Sequence, residues 1–210
     1  MTLGEIKVET LKLMFVAYSK DFGVDALETL AQDENYGSYL ANMPGAINRC
    51  FAAIEDKGVL PEKASPMEAV EYDPLLRITR FDLHHLPDLF EVKRIVCECE
   101  HGRYIENRDF ALEGNNIVLF DTDQGDRFKV VYKPKITRVS SMTGDDEKID
   151  VPDYIAAHIP YYVKGDLFRD DEPDEADKAR VWFETALSAV KDRAPRAQSG
   201  VYTRYSLTEV

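Results

Sequence analysis

The hydrophobic period of this chain changes twice, and that change limits its possible folds more than any other feature. Up to about residue 57 the apolar residues recur at helical spacing. From Leu75 to about Val139 they alternate with a period of two, and from Ile149 to Lys191 the helical spacing returns. Helices, then strands, then helices predict an α+β fold. We expect N- and C-terminal helices to form a helical bundle, since neither terminal pair can bury its apolar stripe alone. A small antiparallel β-module, a sheet or a sandwich, is inserted between them. The expected units are residues 1–60 (N-terminal helices), 75–140 (β-module), 149–192 (C-terminal helical pair) and 193–210 (an extended C-terminal arm).

Local signals place the elements. Thr2 and Glu5 have capping-box spacing before a helix predicted over about residues 3–19, with Leu3, Ile6, Leu11, Met14, Phe15 and Tyr18 on one face. Residues 21–35 read as a loop or short helix. A second helix is predicted over about Ser38–Lys57, with Tyr36–Met43 set apart as a turn by Pro44 and Gly58 as a left-handed terminator. Gly58 to Pro74, with three prolines, reads as a connector. In the closing pair, Ile155, Ile159, Tyr162, Val163 and Leu167 form one stripe. Ala176, Ala179, Phe183, Ala186, Leu187 and Val190 form the other. Pro160 predicts a kink or a helix restart. The short link from Phe168 to Pro173 makes the pair antiparallel, and Asp171 is a candidate cap.

In the strand region Leu76, Ile78 and Phe81 mark a first strand, and His84–Leu89 a loop. Phe90–Glu100 is the clearest strand, with Lys93, Ile95, Cys97, Cys99 and His101 on one face. Short strands follow at Tyr104–Ile105, Phe110–Leu112 and Ile117–Phe120, with turns at His101–Arg103, Gly114–Asn116 and Asp121–Asp126. A long strand is predicted over Arg127–Val139, with Pro134 at an edge or bulge, and then a loop over Ser140–Lys148.

The charge excludes some functions. With 39 acidic and 26 basic residues the chain carries −13, the opposite of what gripping a phosphate backbone requires. A surface past which DNA slides is compatible with it. No apolar run is long enough to span a bilayer, and Glu5 and Glu9 break up any signal-peptide pattern. Three cysteines suggest no disulfide framework and a reducing, cytoplasmic place of synthesis.

Candidate chemistry is sparse. Cys97, Cys99 and His101 are zinc-ligand types on one strand face, with His84 or His85 as a possible fourth ligand. A lone C-x-C differs from the usual turn-borne ligand pairs, and Ile95 on the same face makes the cysteines read as small core residues. The acidic run from Asp170 to Asp177 lacks the glycine and closing glutamate of a calcium loop and reads as a solvated helix start. No phosphate-binding glycine loop or nucleophile elbow is present. We therefore expect no enzyme activity, catalytic residue, metal or cofactor.

Interaction residues are the better candidates. Trp182 lies one step off its helix stripe and reads either as a half-buried flank residue or as an interface anchor. The last 20 residues hold Lys191, Arg193, Arg196 and Arg204 against Asp192 and Glu209, a net +2, so the first 190 carry −15. Val201–Leu207 alternates like a strand. The tail reads either as a docking arm using Arg196, Tyr202, Arg204 and Tyr205, or as a disordered terminus.

Three stretches resemble the head–tail connector (adaptor or neck) proteins of tailed bacteriophages. They are TLGEIKVETLKLMFVAYS, YGSYLANMPGAINRCFAAIEDKG with its Met-Pro-x-x-Ile-Asn segment, and IDVPDYIAAHIPYYVKGDLFRDDEPDEADKARVWFETAL with IPYYV and the Asp-Asp-x-Pro hinge. The resemblance implies a structural virion protein. Such a protein forms a homo-oligomeric ring, commonly of twelve copies, below the portal protein at the head–tail junction. The ring extends the DNA channel, joins head to tail and touches DNA without reading its sequence. The partners implied are other copies of the chain, the portal, and a tail or other neck protein. A tail-completion or other neck-level role is the near alternative. A small metal-binding or enzymatic protein using Cys97, Cys99 and His101, and a regulatory module docking through its tail, are the distant ones.

Overall fold

The computed structural model describes residues 1–16, 22–99 and 103–193. Within them the chain is α+β, with helices and two antiparallel four-stranded sheets.

Helix α1 (Leu3–Met14) opens with the expected capping box. The Glu5 amide donates to Thr2 Oγ1 at 3.2 Å, and the Thr2 amide donates to Glu5 Oε2 at 2.9 Å. The helix stops short of the expected residue 19. Phe15 leaves helical geometry, and its ring meets Tyr36, Tyr39 and Phe168 edge-on at 5.0–6.1 Å. Tyr18 lies outside the described residues. A 3-10 turn at Val24–Ala26 and the one-turn α2 (Leu27–Leu30) lead to α3 (Gly37–Lys57). Helix α3 is continuous through Pro44, so Tyr36–Met43 is no separate turn. Met43, Ala46 and Ile47 are fully buried around the proline, and their packing outweighs one lost backbone donor. Gly58 ends α3 at φ 64°, as the sequence predicts.

The strands are β1 (Lys63–Pro66), β2 (Ala69–Asp73), β3 (Ile78–Asp82), β4 (Leu89–Cys99), β5 (Arg103–Asn107), β6 (Phe110–Glu113), β7 (Asn116–Leu119) and β8 (Arg127–Pro134). One sheet has the order β1-β8-β4-β5 and the other β2-β3-β7-β6. Residues 58–74 are thus more than a connector, because β1 and β2 lie in them. Pro66 closes an edge strand, a position that tolerates a missing donor. Leu75 and Leu76 sit in the exposed turn before β3 rather than in a strand. Strand β8 stops at Pro134, short of Val139.

Phe81, Ile117 and Leu119 of one sheet share a core with Ile95, Phe128, Val130 and Tyr132 of the other, and Phe81 meets Phe128 edge-on at 5.6 Å. The alternation expected along β4 is shifted. Bulges between Leu89 and Glu91, and between Val92 and Arg94, bring Leu89, Val92, Ile95 and Cys97 to this core and leave Lys93 exposed.

After β8 the chain crosses to the helices. Ile136 and Val139 enter the helical core, where α3 holds them as a paired strand would. Asn48 accepts from the Val139 amide at 2.9 Å and donates to its carbonyl at 2.7 Å. Buried Glu55 accepts from the Ile136 amide at 2.6 Å and from Arg138 at 2.5 Å.

Helix α4 (Asp153–Ala156) precedes α5 (Ile159–Leu167) and α6 (Pro173–Arg193). The helix restarts at Ile159 with Pro160 in its first turn, as expected. Lys164 pairs with Glu175 at 3.0 Å and Tyr162 meets Phe183 at 5.0 Å, which sets α5 and α6 antiparallel. Gly165 permits the close approach: a Cβ there would lie 3.0 Å from the Ala176 carbonyl oxygen. The helices do not form the expected bundle of two terminal pairs. They gather on α5, against which α1, α3 and α6 each pack. Ile159, Val163 and Gly165 are buried on α5 and Tyr161, Tyr162 and Leu167 are half-buried, so several of its sides can be covered. Helix α6 has one apolar stripe.

Asp88 ties the layers together. It accepts from Lys63 and from the Tyr132 hydroxyl, both at 2.9 Å, and Lys63 also reaches Asp150 at 3.3 Å. Burial opposes ionisation of Asp88, but Lys63 and Tyr132 outweigh it and hold the carboxyl below its usual range. Its contribution to stability is therefore complete above the unfolded value of about 3.9 and is lost as pH falls through the lower folded value. Acid melts below about pH 4 are expected to show a smaller pH slope for Asp88→Asn than for the parent. Equal slopes would remove Asp88 from the acid response.

Candidate interaction surface

The outer face of α6 follows from its stripe. With Ala176, Ala179, Phe183 and Leu187 buried inward, Val181 and Trp182 must turn outward. Val181 is 66% exposed and Trp182 52%. Trp182 is nevertheless fixed in place. Its ring stacks on Tyr161 of α5 at 4.4 Å and 14°, and His158 lies 5.8 Å away at 48°. Tyr154 on α4 is also a large exposed side chain, at 56%. His158 Nδ1 is buried with no hydrogen-bond partner among the described residues. Burial also lowers its pKa, so at neutral pH it is an uncharged ring beside Trp182.

Acidic side chains near the start of α6 are committed to different partners. Glu175 accepts from Lys178 at 2.9 Å and Lys164 at 3.0 Å, and these bonds lower its pKa. Asp171 does not cap α6 as its position suggests; its carboxylate accepts from the Tyr39 hydroxyl at 2.9 Å, tying the hinge to α3. This arrangement stabilises a helix start and does not gather ligands.

Of the metal-ligand candidates, Cys97 packs against the core shared by the sheets, while the Cys99 side chain and His101 lie outside what the structure describes. His84 uses one ring nitrogen on Asp82 at 2.6 Å and has the other 3.1 Å from Asn115. Among the described residues no group of three His, Cys, Asp or Glu could hold a metal ion. Also among them, no helix is long and apolar enough to cross a membrane.

Of the interaction residues named from sequence, Trp182 is placed at the centre of this surface. Arg196, Tyr202, Arg204 and Tyr205 lie outside the described residues. Sequence reasoning missed Tyr154, Tyr161 and Val181. The signal for Val181 was available, since it is off the stripe in the same way as Trp182. Compared with known protein families the chain matches none, and no curated protein sequence matches it significantly.

Proposed function

We propose that this chain is a structural virion protein of a tailed bacteriophage. In this reading it is a head–tail connector whose copies form a ring, of about twelve, below the portal. The helical layer, drawn from both ends of the chain, forms the ring body, and the sheets form a module mounted on it. The acidic charge suits the channel: a lumen at net negative potential repels phosphate, so DNA slides past without adhering. The partners are neighbouring copies, the portal and a tail or neck protein. No catalytic step is assigned to it.

The observation that carries this reading is the half-exposed Trp182, pinned by Tyr161 and next in sequence to exposed Val181. A large aromatic held rigid at a surface loses little entropy on docking, the property of an interface anchor. The test is co-assembly with portal particles, read by sedimentation and electron microscopy. The parent is expected to add a ring of density below the portal. Trp182→Glu is expected to weaken that association about 30-fold or more, the loss of a hot-spot residue. Its folding stability should fall by only about 1 kcal/mol, the order of one aromatic pair. A parent protein that never binds portal particles overturns the connector reading.

A further inference from the structure

The two sheets have four edge strands: β1, β5, β2 and β6. Open edges invite pairing, and proteins usually blunt them with charge, proline, bulges or shortness. Strand β1 carries Lys63 and Pro66, and the register of β2 is broken between Ala69 and Glu71. Strand β6 is only four residues long. Strand β5 carries charge as well, at Arg103 and Glu106, but it is one residue longer than β6 and lacks the proline of β1 and the register break of β2. Its register with β4 is unbroken from Arg103 to Asn107, it has no proline or bulge, and it exposes Tyr104 (44%) and Ile105 (60%). Among the described residues no strand pairs with its outer edge. The Tyr104 ring is fixed by Lys129, whose ammonium donates to the hydroxyl at 2.5 Å and lies 4.2 Å from the ring centroid. A shallow open depression of about 410 Å3 adjoins the edge, lined by Cys97, Ile105, Glu106, Asn107, Arg108 and Asp109.

The chain itself contains a segment whose sequence alternates as a strand's does. Beyond Arg193 it continues through residues 194–210, and Val201–Leu207 alternates Val201, Thr203, Tyr205 and Leu207 against Tyr202, Arg204 and Ser206. Seven extended residues span about 23 Å, enough to cover β5, and residues 194–200 supply a spacer of similar reach. Charge favours the encounter, since residues 194–210 hold Arg196 and Arg204 against Glu209, a net +1, and residues 1–193 carry −14.

We propose that the outer edge of β5 accepts Val201–Leu207 of a neighbouring copy as a fifth strand of its sheet. Backbone hydrogen bonds supply affinity, and Tyr104, Ile105 and the adjoining depression select side chains. Donor and acceptor are different surfaces of one chain, the heterologous arrangement that closes into rings. The inference rests on the ring reading only in taking the donor to be a neighbour.

The test uses full-length protein carrying Thr203→Pro and Tyr205→Pro, so that its own segment cannot pair, and a synthetic peptide of residues 198–210. Amide hydrogen exchange is followed at residues 103–107. The parent-sequence peptide is expected to slow exchange there at least tenfold, and a peptide with Thr203→Pro is expected to leave it unchanged. Ile105→Lys, at an exposed position, is expected to abolish the protection without changing the melting temperature. Absence of protection at 103–107, or protection elsewhere only, overturns the proposal. So does concentration-independent protection of this strand in dilute monomeric parent, which would place the segment on its own chain. Portal binding with no peptide protection sinks the pairing alone; peptide protection with no portal binding sinks the connector reading alone.

Discussion

Phe183→Ala is expected to lower unfolding free energy by about 3–5 kcal/mol, the range for truncating a buried phenylalanine. Phe183 is 1% exposed and is the largest side chain on the α6 stripe. It meets Tyr162 of α5 edge-on at 5.0 Å, and it belongs to the cluster that also holds Leu3, Ile47 and Phe51. The gap left by alanine cannot close easily. Gly165 already brings the α5 backbone close to the Ala176 carbonyl, so the helices have little room to move together. For a chain of this length the melting temperature should fall by roughly 6–20 °C. Val181→Ala, two residues away but 66% exposed, is expected to stay within about 0.5 kcal/mol. Similar losses for the two variants would mean that α6 buries a different face.

Glu55→Ala is the second large effect, expected at about 2–3 kcal/mol by chemical denaturation. Glu55 is 6% exposed, and its two oxygens have separate tasks. One accepts from the Ile136 amide and the other from Arg138. Alanine leaves the buried amide without an acceptor, which costs about 1–3 kcal/mol alone. Arg138 is 45% exposed and can turn to water, so the loss of the ion pair itself adds little. Glu55→Gln keeps an acceptor for Ile136 and should recover part of the loss. Asn48→Ala removes the other clasp on the same segment, and the double variant should be non-additive because both residues hold residues 136–139. Strict additivity would show that the two clasps act independently.

The sequence was most informative where one local signal determined the outcome. The Thr2–Glu5 box, the Gly58 terminator, the helix restart at Pro160 and the turn at Gly114 (φ 60°) all appear where spacing and residue type place them. It was least informative where tertiary packing overrode a local rule. Pro44 is an interior helix breaker by type, yet buried neighbours keep α3 whole. Strands β1 and β2 lie among prolines and expose much of their length, so they have no clean apolar alternation to detect. The bulges in β4 could not be seen, because a single inserted residue changes which side chains face the core without changing composition. The convergence on α5 was hidden for a related reason. An apolar stripe says that a helix face is covered and does not say by which helix. The Trp182 surface was half legible: its offset from the stripe was readable, but the stacking of Tyr161 on it required the α5–α6 geometry.

The position of α5 affects the order of events during synthesis. Its residues leave the ribosome about 100 residues after the α3 residues they cover, and after every strand of both sheets. The sheets can therefore mature while Met43, Ile47 and Phe51 still lack their covering helix. At translation rates of about 5–20 residues per second that interval lasts several seconds. During it α3 lacks the helix that packs on it, and a translational pause before Ile159 would lengthen that interval.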